Sequence, residues 1–203
     1  DITTGSLIFT QGLSGSRGYV DTTNAVVTKD GNWLCVFATG KGQEGKPDQY
    51  VAASVSEDQG KSWSELIVIE PPAGVKNSCN PVLLATPSGR IYAFYDYNID
   101  GITHLPDGTK MPQIYLIGWY GFRYSDDGGR TWSKNRYRIP IRLTDVDRNN
   151  DFGGEQQMFW GIDHPVTYGG SVYVAFTKIK HYHQKEMEGW FLKSDNILTE
   201  LDP

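Results

Sequence analysis

Ser56-Glu57-Asp58-Gln59-Gly60-Lys61-Ser62-Trp63 decides the fold, because the chain writes it again as Ser125-Asp126-Asp127-Gly128-Gly129-Arg130-Thr131-Trp132 and opens it a third time at Ser194-Asp195-Asn196. The three serines recur at a fixed interval of 69 residues. A long fixed period marks repeated supersecondary units. Within the motif the Asp carboxylate can accept bonds from N–H groups of its own turn, and the glycine supplies a positive φ. The closing tryptophan is expected to pack the turn against its sheet. Ser56, Asp58, Gly60, Trp63, Ser125, Asp127, Gly129 and Trp132 therefore read as scaffold rather than chemistry.

Outward from each motif the same elements follow one another. An apolar strand comes first (Ala25–Thr28, Pro81–Ala85, Pro165–Thr167), then a tight turn at Gly31, Gly89 or Gly170. A second strand rich in β-branched and aromatic residues follows (Trp33–Ala38, Ile91–Tyr95, Val172–Phe176). Short apolar runs flanked by glycine turns are hairpins. A polar loop leads to a third strand (Tyr50–Ser56, Gly118–Ser125, Gly189–Ser194). The motif then turns the chain into a fourth strand (Glu65–Ile69, Tyr137–Ile141), which Ile197 would begin in the last copy. Four antiparallel strands, repeated, define a β-propeller blade. The chain is predicted to be all-β, with three four-stranded blades spanning about 20–72, 77–142 and 160–203.

The 203 residues carry a formal net charge of −5 with no basic block. That excludes nucleic acid and anionic membranes as expected partners. No apolar run approaches the ~18 residues that span a bilayer. Cys35, inside Trp33–Phe37, reads as a buried thiol, and two cysteines make neither a disulfide framework nor a zinc site. The chain starts Asp1-Ile2-Thr3 without an initiator methionine and reads as part of a longer protein.

The Ser-x-Asp-x-Gly-x-[Ser/Thr]-Trp motif, at the third-to-fourth strand turn, resembles the Asp-box (BNR) repeat of the sialidase superfamily. Asn24 to Phe37 is similar to the opening blade of such enzymes, and Phe159 to Glu200 looks like bacterial sialidase-like proteins. The resemblance implies six blades, so that three units make half a ring whose partner is the remaining blades. Such a half is expected to lack activity and to self-associate. The resemblance also favours an extracellular or periplasmic location. It further implies arginines that clamp a carboxylate, an acid/base Asp, and a Tyr nucleophile assisted by Glu. Where the family opens its first strand with Phe/Tyr-Arg-Ile-Pro, this chain has Asp21-Thr22-Thr23-Asn24.

Strand alternation puts the Asp-boxes and the glycine turns on one rim and chemistry on the other. That opposite rim collects Asp21, Asn80, Glu44, Asp96, Tyr97, His104, Asp163, His164, Lys178 and the long loops 98–113 and 143–158. Long loops inside a compact domain are more often functional than idle. Glycosidases need two carboxyl groups in different environments, and Asp163, Glu44, Asp96 and Asp21 are the catalytic candidates. Asp163 leads them, at a first-strand start beside His164 with Pro165 fixing the chain direction. Arg148 and Arg17 are candidate clamps, because guanidinium pairs bidentately with a carboxylate. His164, Asn80, Tyr97 and Lys178 are candidate sugar contacts. Asp145, Asp147, Asn149 and Asp151 have the spacing of a calcium loop, but the glycine at its sixth position is missing. The default expectation is no metal and no cofactor.

The expected function is hydrolysis of an acidic or otherwise decorated glycan. A propeller lyase using His164, His104 or Tyr97 as base, and a non-catalytic glycan- or protein-binding propeller, stand as alternatives.

Overall fold

The computed structural model describes residues 8, 18–183 and 185–201. Twelve strands make three four-stranded antiparallel sheets. The first holds β1 (Gly18–Val27), β2 (Trp33–Lys41), β3 (Tyr50–Ser56) and β4 (Ile67–Glu70) in that order. The second holds β5 (Asn77–Ala85), β6 (Ile91–Asn98), β7 (Trp119–Ser125) and β8 (Tyr137–Ile139). In the third, β9 (Phe159–Trp160) and β10 (Val166–Tyr168) both pair with β11 (Ser171–His181), which pairs with β12 (Lys185–Ser194). Among the described residues no helix is long and apolar enough to cross a membrane.

The sheets stack face to face, and the core lies in the seams. Leu34, Val36, Val51 and Val55 of the first sheet meet Leu83, Ile91, Ala93 and Tyr95 of the second. Val82, Tyr92, Phe94 and Tyr120 of the second meet Phe159, Val172, Val174 and Phe176 of the third. This is the blade packing of a propeller. One buried carboxylate reinforces the first seam. Glu70, at the end of β4, accepts hydrogen bonds from Tyr95 Oη (2.7 Å), Arg123 Nε (3.1 Å) and Arg136 Nε (2.8 Å), and a further short one from Arg136 Nη2. Burial would raise its pKa, but the two guanidiniums and the phenol outweigh that and hold it below the usual range.

Both complete Asp-boxes form the same bond set. Ser56 Oγ donates to Asp58 Oδ1 (2.9 Å) and accepts from Gly60 N–H (2.7 Å), while Asp58 accepts from Ser62 N–H (2.8 Å) and Ser62 Oγ (2.6 Å). Ser125, Asp127, Gly129 and Thr131 repeat these contacts at 2.8, 2.8, 2.8 and 2.6 Å. Trp132 Nε1 donates to Gly129 O at 3.0 Å, and Trp63 packs beside Cys35, Phe37 and Ala52. In the third copy Ser194 Oγ donates to Asn196 Oδ1 at 3.0 Å. Arg130 of the second box reaches Glu57 (2.6 Å) and Asp30 (3.8 Å) of the first sheet, which puts boxes and hairpin turns on one rim.

Several boundaries differ from the sequence expectation. The fourth strands are shorter, and Pro140, which has no N–H to donate, follows directly where β8 stops. Ile197–Thr199 is a turn, not a strand, its Ile197 and Leu198 packing on the second seam. The first strands begin earlier than their apolar stretches because each inner strand carries an irregularity: Asp21/Asn24 in β1, Cys79/Val82 in β5, and the gap 161–165 between β9 and β10. The calcium-like spacing resolves into a one-turn helix, α1 (Asp145–Arg148), with a Thr144/Asp147 capping box.

Candidate functional site

The three inner-strand irregularities lie on the rim opposite the boxes, and their polar side chains meet there. Thr22 and Asn80 occupy matching places in β1 and β5, and both have left-handed backbone, at φ 53° and 52°. That conformation is uncommon for Asn and rare for a β-branched residue. Thr22 Oγ1 donates to Asn80 Oδ1 at 3.2 Å, and Asn80 Nδ2 donates to Asp96 Oδ2 at 2.7 Å.

Asp96 is the centre of the cluster. It is fully buried, in register with Cys79 on one side and Tyr120 on the other. Burial drives its pKa well up, against the opposing bonds from Asn80 and the Gly161 backbone N–H. Its Oδ1 has no partner among the described residues, and neither has the buried Tyr120 hydroxyl. Tyr120 feels both Asp96 and Asp163, and burial lifts its own pKa far above the phenol range. Asp163 itself is exposed, in the 161–165 segment whose Gly161 N–H reaches Asp96.

His164 is next in that segment. Asn24 Nδ2 lies 2.9 Å from its Nε2 and 3.2 Å from its Nδ1, while Asn24 Oδ1 accepts the Leu83 N–H at 3.2 Å. All three inner strands are thus tied together at the rim. Around this centre Tyr115 Oη donates to Glu44 Oε1 at 2.5 Å, and Tyr19 Oη to the exposed Asp21 Oδ2 at 3.1 Å. Burial of the Cys79 thiol raises its pKa, as does the neighbouring Asp96; burial alone takes Cys35 up to about 11.

Other candidate residues sit elsewhere. Tyr97 is 3% exposed, and the Arg136 guanidinium covers its ring at 4.2 Å, which leaves no free face for a sugar. Lys178, 1% exposed, forms a buried ion pair with Asp147 and donates to Arg142 O, fastening the 143–158 loop. Arg148 is exposed and pairs with Asp145 at 3.1 Å, and no contact joins it to Asp96. Arg17 lies outside the described residues. His104 bridges Thr103 Oγ1 at 2.8 Å within the 98–113 loop. Asp151 is held by His181 and Tyr182 N–H, at 2.7 and 2.6 Å, so the acids of the 145–151 run point to separate partners. Among the described residues no three His, Cys, Asp or Glu side chains gather to hold a metal.

Sequence reasoning passed over Tyr120, Tyr19 and Tyr115. Alternation along β7 was the available signal: it puts Tyr120, Phe122 and Tyr124 on one face, with Tyr120 nearest the rim. The 98–113 loop and its continuation also fold inward. Met111, Ile114, Leu116 and Ile117 are buried with Cys79, Met158 and Ile179 beneath the site.

The fold defines an Asp-box propeller of four-stranded blades. The BNR repeat-like domain matches residues 31–153, more than half of the chain, and the chain belongs to that family. No curated protein matches it in sequence. Among solved structures it is similar to a protein of unknown function from Dyadobacter fermentans (18% identity, TM-score 0.68), covering 94% of this chain and 54% of that one. The Hadza microbial sialidase Hz136 is similar at 16% identity and TM-score 0.63, over 87% of this chain and 35% of that one. The family 117 glycoside hydrolase Zg3597 from Zobellia galactanivorans is similar at 12% identity and TM-score 0.61, over 96% and 58%. The chain thus spans between about a third and three-fifths of these structures.

Proposed function

We propose that the protein is a sialidase-like glycoside hydrolase that removes a terminal sugar from a decorated glycan, with its site at the inner-strand irregularities. One observation carries this reading: buried Asp96 pairs in register with the buried Tyr120, and exposed Asp163 lies near enough that both carboxyl groups raise the Tyr120 pKa beyond what burial does. Glycoside hydrolysis uses such a pair, one group proton-bearing and the other free to act on water or the anomeric carbon. In this reading Asp96 carries the proton to the leaving oxygen, and Asp163 serves the opposite side. Asp21 and Glu44 flank the pair. The Gly161 N–H reaches the fully buried Asp96, so in this reading substrate entry displaces the turn at Gly161.

The likeness to a sialidase and to a family 117 glycoside hydrolase supports the fold of such an enzyme. The outer face of the third sheet, with Val166, Tyr168 and Phe191 exposed at 60, 78 and 65%, would pack against a further blade of the complete ring. The test is release of a terminal sugar by the full-length protein on a glycan panel. Turnover that survives Asp163→Asn removes Asp163 from the mechanism. Unsaturated products would replace hydrolysis with elimination.

A further inference from the structure

Glu44 stands between β2 and β3, and the chain on both sides of it is pinned. Gln49 Nε2 donates to Gln43 O at 2.7 Å, and the Ile114 N–H donates to Gly45 O at 2.9 Å. Asn77 Nδ2 donates to Lys46 O at 2.6 Å. Gly45 has φ 74°, and a Cβ built on it would lie 2.6 Å from Gln113 Cα and 3.0 Å from Tyr115 Cδ1. Only glycine lets this stretch of the first blade lie so close against 113–115 of the second. The Glu44 side chain therefore starts from a fixed backbone.

Tyr115 fixes its far end. It belongs to a single turn of 3-10 helix, Ile114–Leu116, and is 1% exposed in the cluster that holds Cys79, Met111 and Ile117. Its Oη donates to Glu44 Oε1 at 2.5 Å, the length of a charge-assisted bond. Burial first, then Glu44, Cys79 and Asp96, push the phenol far above its usual range, so it keeps its proton and serves as a donor rather than a nucleophile.

Glu44 itself is half-buried. An ionised carboxylate accepts about four hydrogen bonds, and Tyr115 takes one of them at Oε1. The Glu44 charge is felt by Tyr19 and by Cys79, and Cys79 is the register partner of Asp96. The first blade thus brings a carboxylate of defined orientation to the edge of the Asp96 cluster.

We infer that Tyr115 is a positioning residue: it fixes the Glu44 carboxylate, which the first blade presents to a sugar hydroxyl beside Asp96. This rests on the glycosidase reading of the same site and deepens it. Glu44 accepts the hydroxyl and orients the ring, while Tyr115 acts only through Glu44. Such orientation matters because misplacing a group by about 1 Å can cost on the order of a hundredfold in rate.

The test is a double-mutant cycle on the full-length protein. The probe is whichever of p-nitrophenyl galactoside, p-nitrophenyl arabinofuranoside and 4-methylumbelliferyl sialoside it hydrolyses fastest. Tyr115→Phe should lower kcat/KM about tenfold, and Glu44→Ala at least as much, both mainly through KM. In the Glu44→Ala background, Tyr115→Phe should have no further effect on kcat/KM. A merely structural tyrosine would lower the melting temperature without that kinetic coupling. Unchanged kcat/KM in either single variant overturns the inference, as does a Tyr115→Phe loss that is equally large without Glu44. Hydrolysis itself stands in each of those cases. Binding of a probe without turnover, weakened with the same coupling, removes the hydrolase and keeps the positioning role. Neither binding nor turnover of any probe overturns both.

Discussion

Thr22 and Asn80 are equivalent residues of successive blades, and they touch. Each stands in left-handed backbone at the irregularity of its inner strand, and the Thr22 hydroxyl donates to the Asn80 side chain at 3.2 Å. Unfavourable backbone persists only where the surroundings over-determine it. Here the reward is Asp96, which Asn80 holds at 2.7 Å.

Asn80 separates backbone strain from hydrogen bonding. Asn80→Gly relieves the left-handed backbone and loses both side-chain bonds; Asn80→Ala loses the bonds and keeps the strain. Ala should therefore be less stable than Gly by about 1 kcal/mol, measured by denaturant melts. Equal stabilities would mean that the backbone conformation stores no strain.

Asp96 and Glu70 should respond to pH with opposite signs. Burial raises the folded pKa of Asp96, so its stabilising contribution is complete below the unfolded value of ~3.9 and is lost as pH climbs towards the folded pKa. Asp96→Asn should accordingly equal or exceed the parent in stability at pH 7 while losing turnover. A large loss of stability at pH 7 would show that the charged form is the structural one.

For Glu70, burial is outweighed by Arg136, Tyr95 and Arg123, and the folded pKa falls below the unfolded one. Its contribution is present above the unfolded pKa and disappears as pH falls through the folded value. Glu70→Gln should cost about 3–5 kcal/mol at pH 7, because it strands two guanidiniums in a seam. Replacing Arg123 and Arg136 as well should recover part of that loss in a mutant cycle.

The boxes should affect stability and leave chemistry alone. Ser125→Ala removes the acceptor of the Gly129 N–H and a donor to Asp127, and should cost about 1–3 kcal/mol. Activity per folded molecule should not change. The Ser62 hydroxyl and N–H hold Asp58 down at about 2, so its help persists above pH ~4 and fades as pH falls towards 2. A stability profile of Asp58→Asn that still parallels the parent between pH 4 and 2 would deny it that part.

The boxes were legible because their logic is local. Every donor and acceptor lies within six residues, and the sequence repeats the set. The rim was legible at the level of residue class. Strand alternation sent Asp21, Glu44, Asp96 and Asp163 to one end, but it could not say that Asp96 is buried and Asp163 exposed. That difference depends on a segment from the third blade lying over the second. Lys178 and Tyr97 misled for the same reason. Their partners, Asp147 and Arg136, stand 31 and 39 positions away, and polarity alone does not distinguish a buried pair from a free contact. Asp21-Thr22-Thr23-Asn24 reads as loop because its polar residues mask a strand that continues through its irregularity.

Glu70 also gives the two seams different mechanical characters. The first is riveted by charge, whereas the second relies mainly on interlocked aromatic and aliphatic side chains. Pulled by its ends, the chain should peel its third sheet away while the first two hold as a unit, giving two force steps of unequal height. Gly161, whose N–H reaches Asp96, belongs to the sheet that yields first. The backbone group that bonds Asp96 is therefore anchored to the softer side of the molecule.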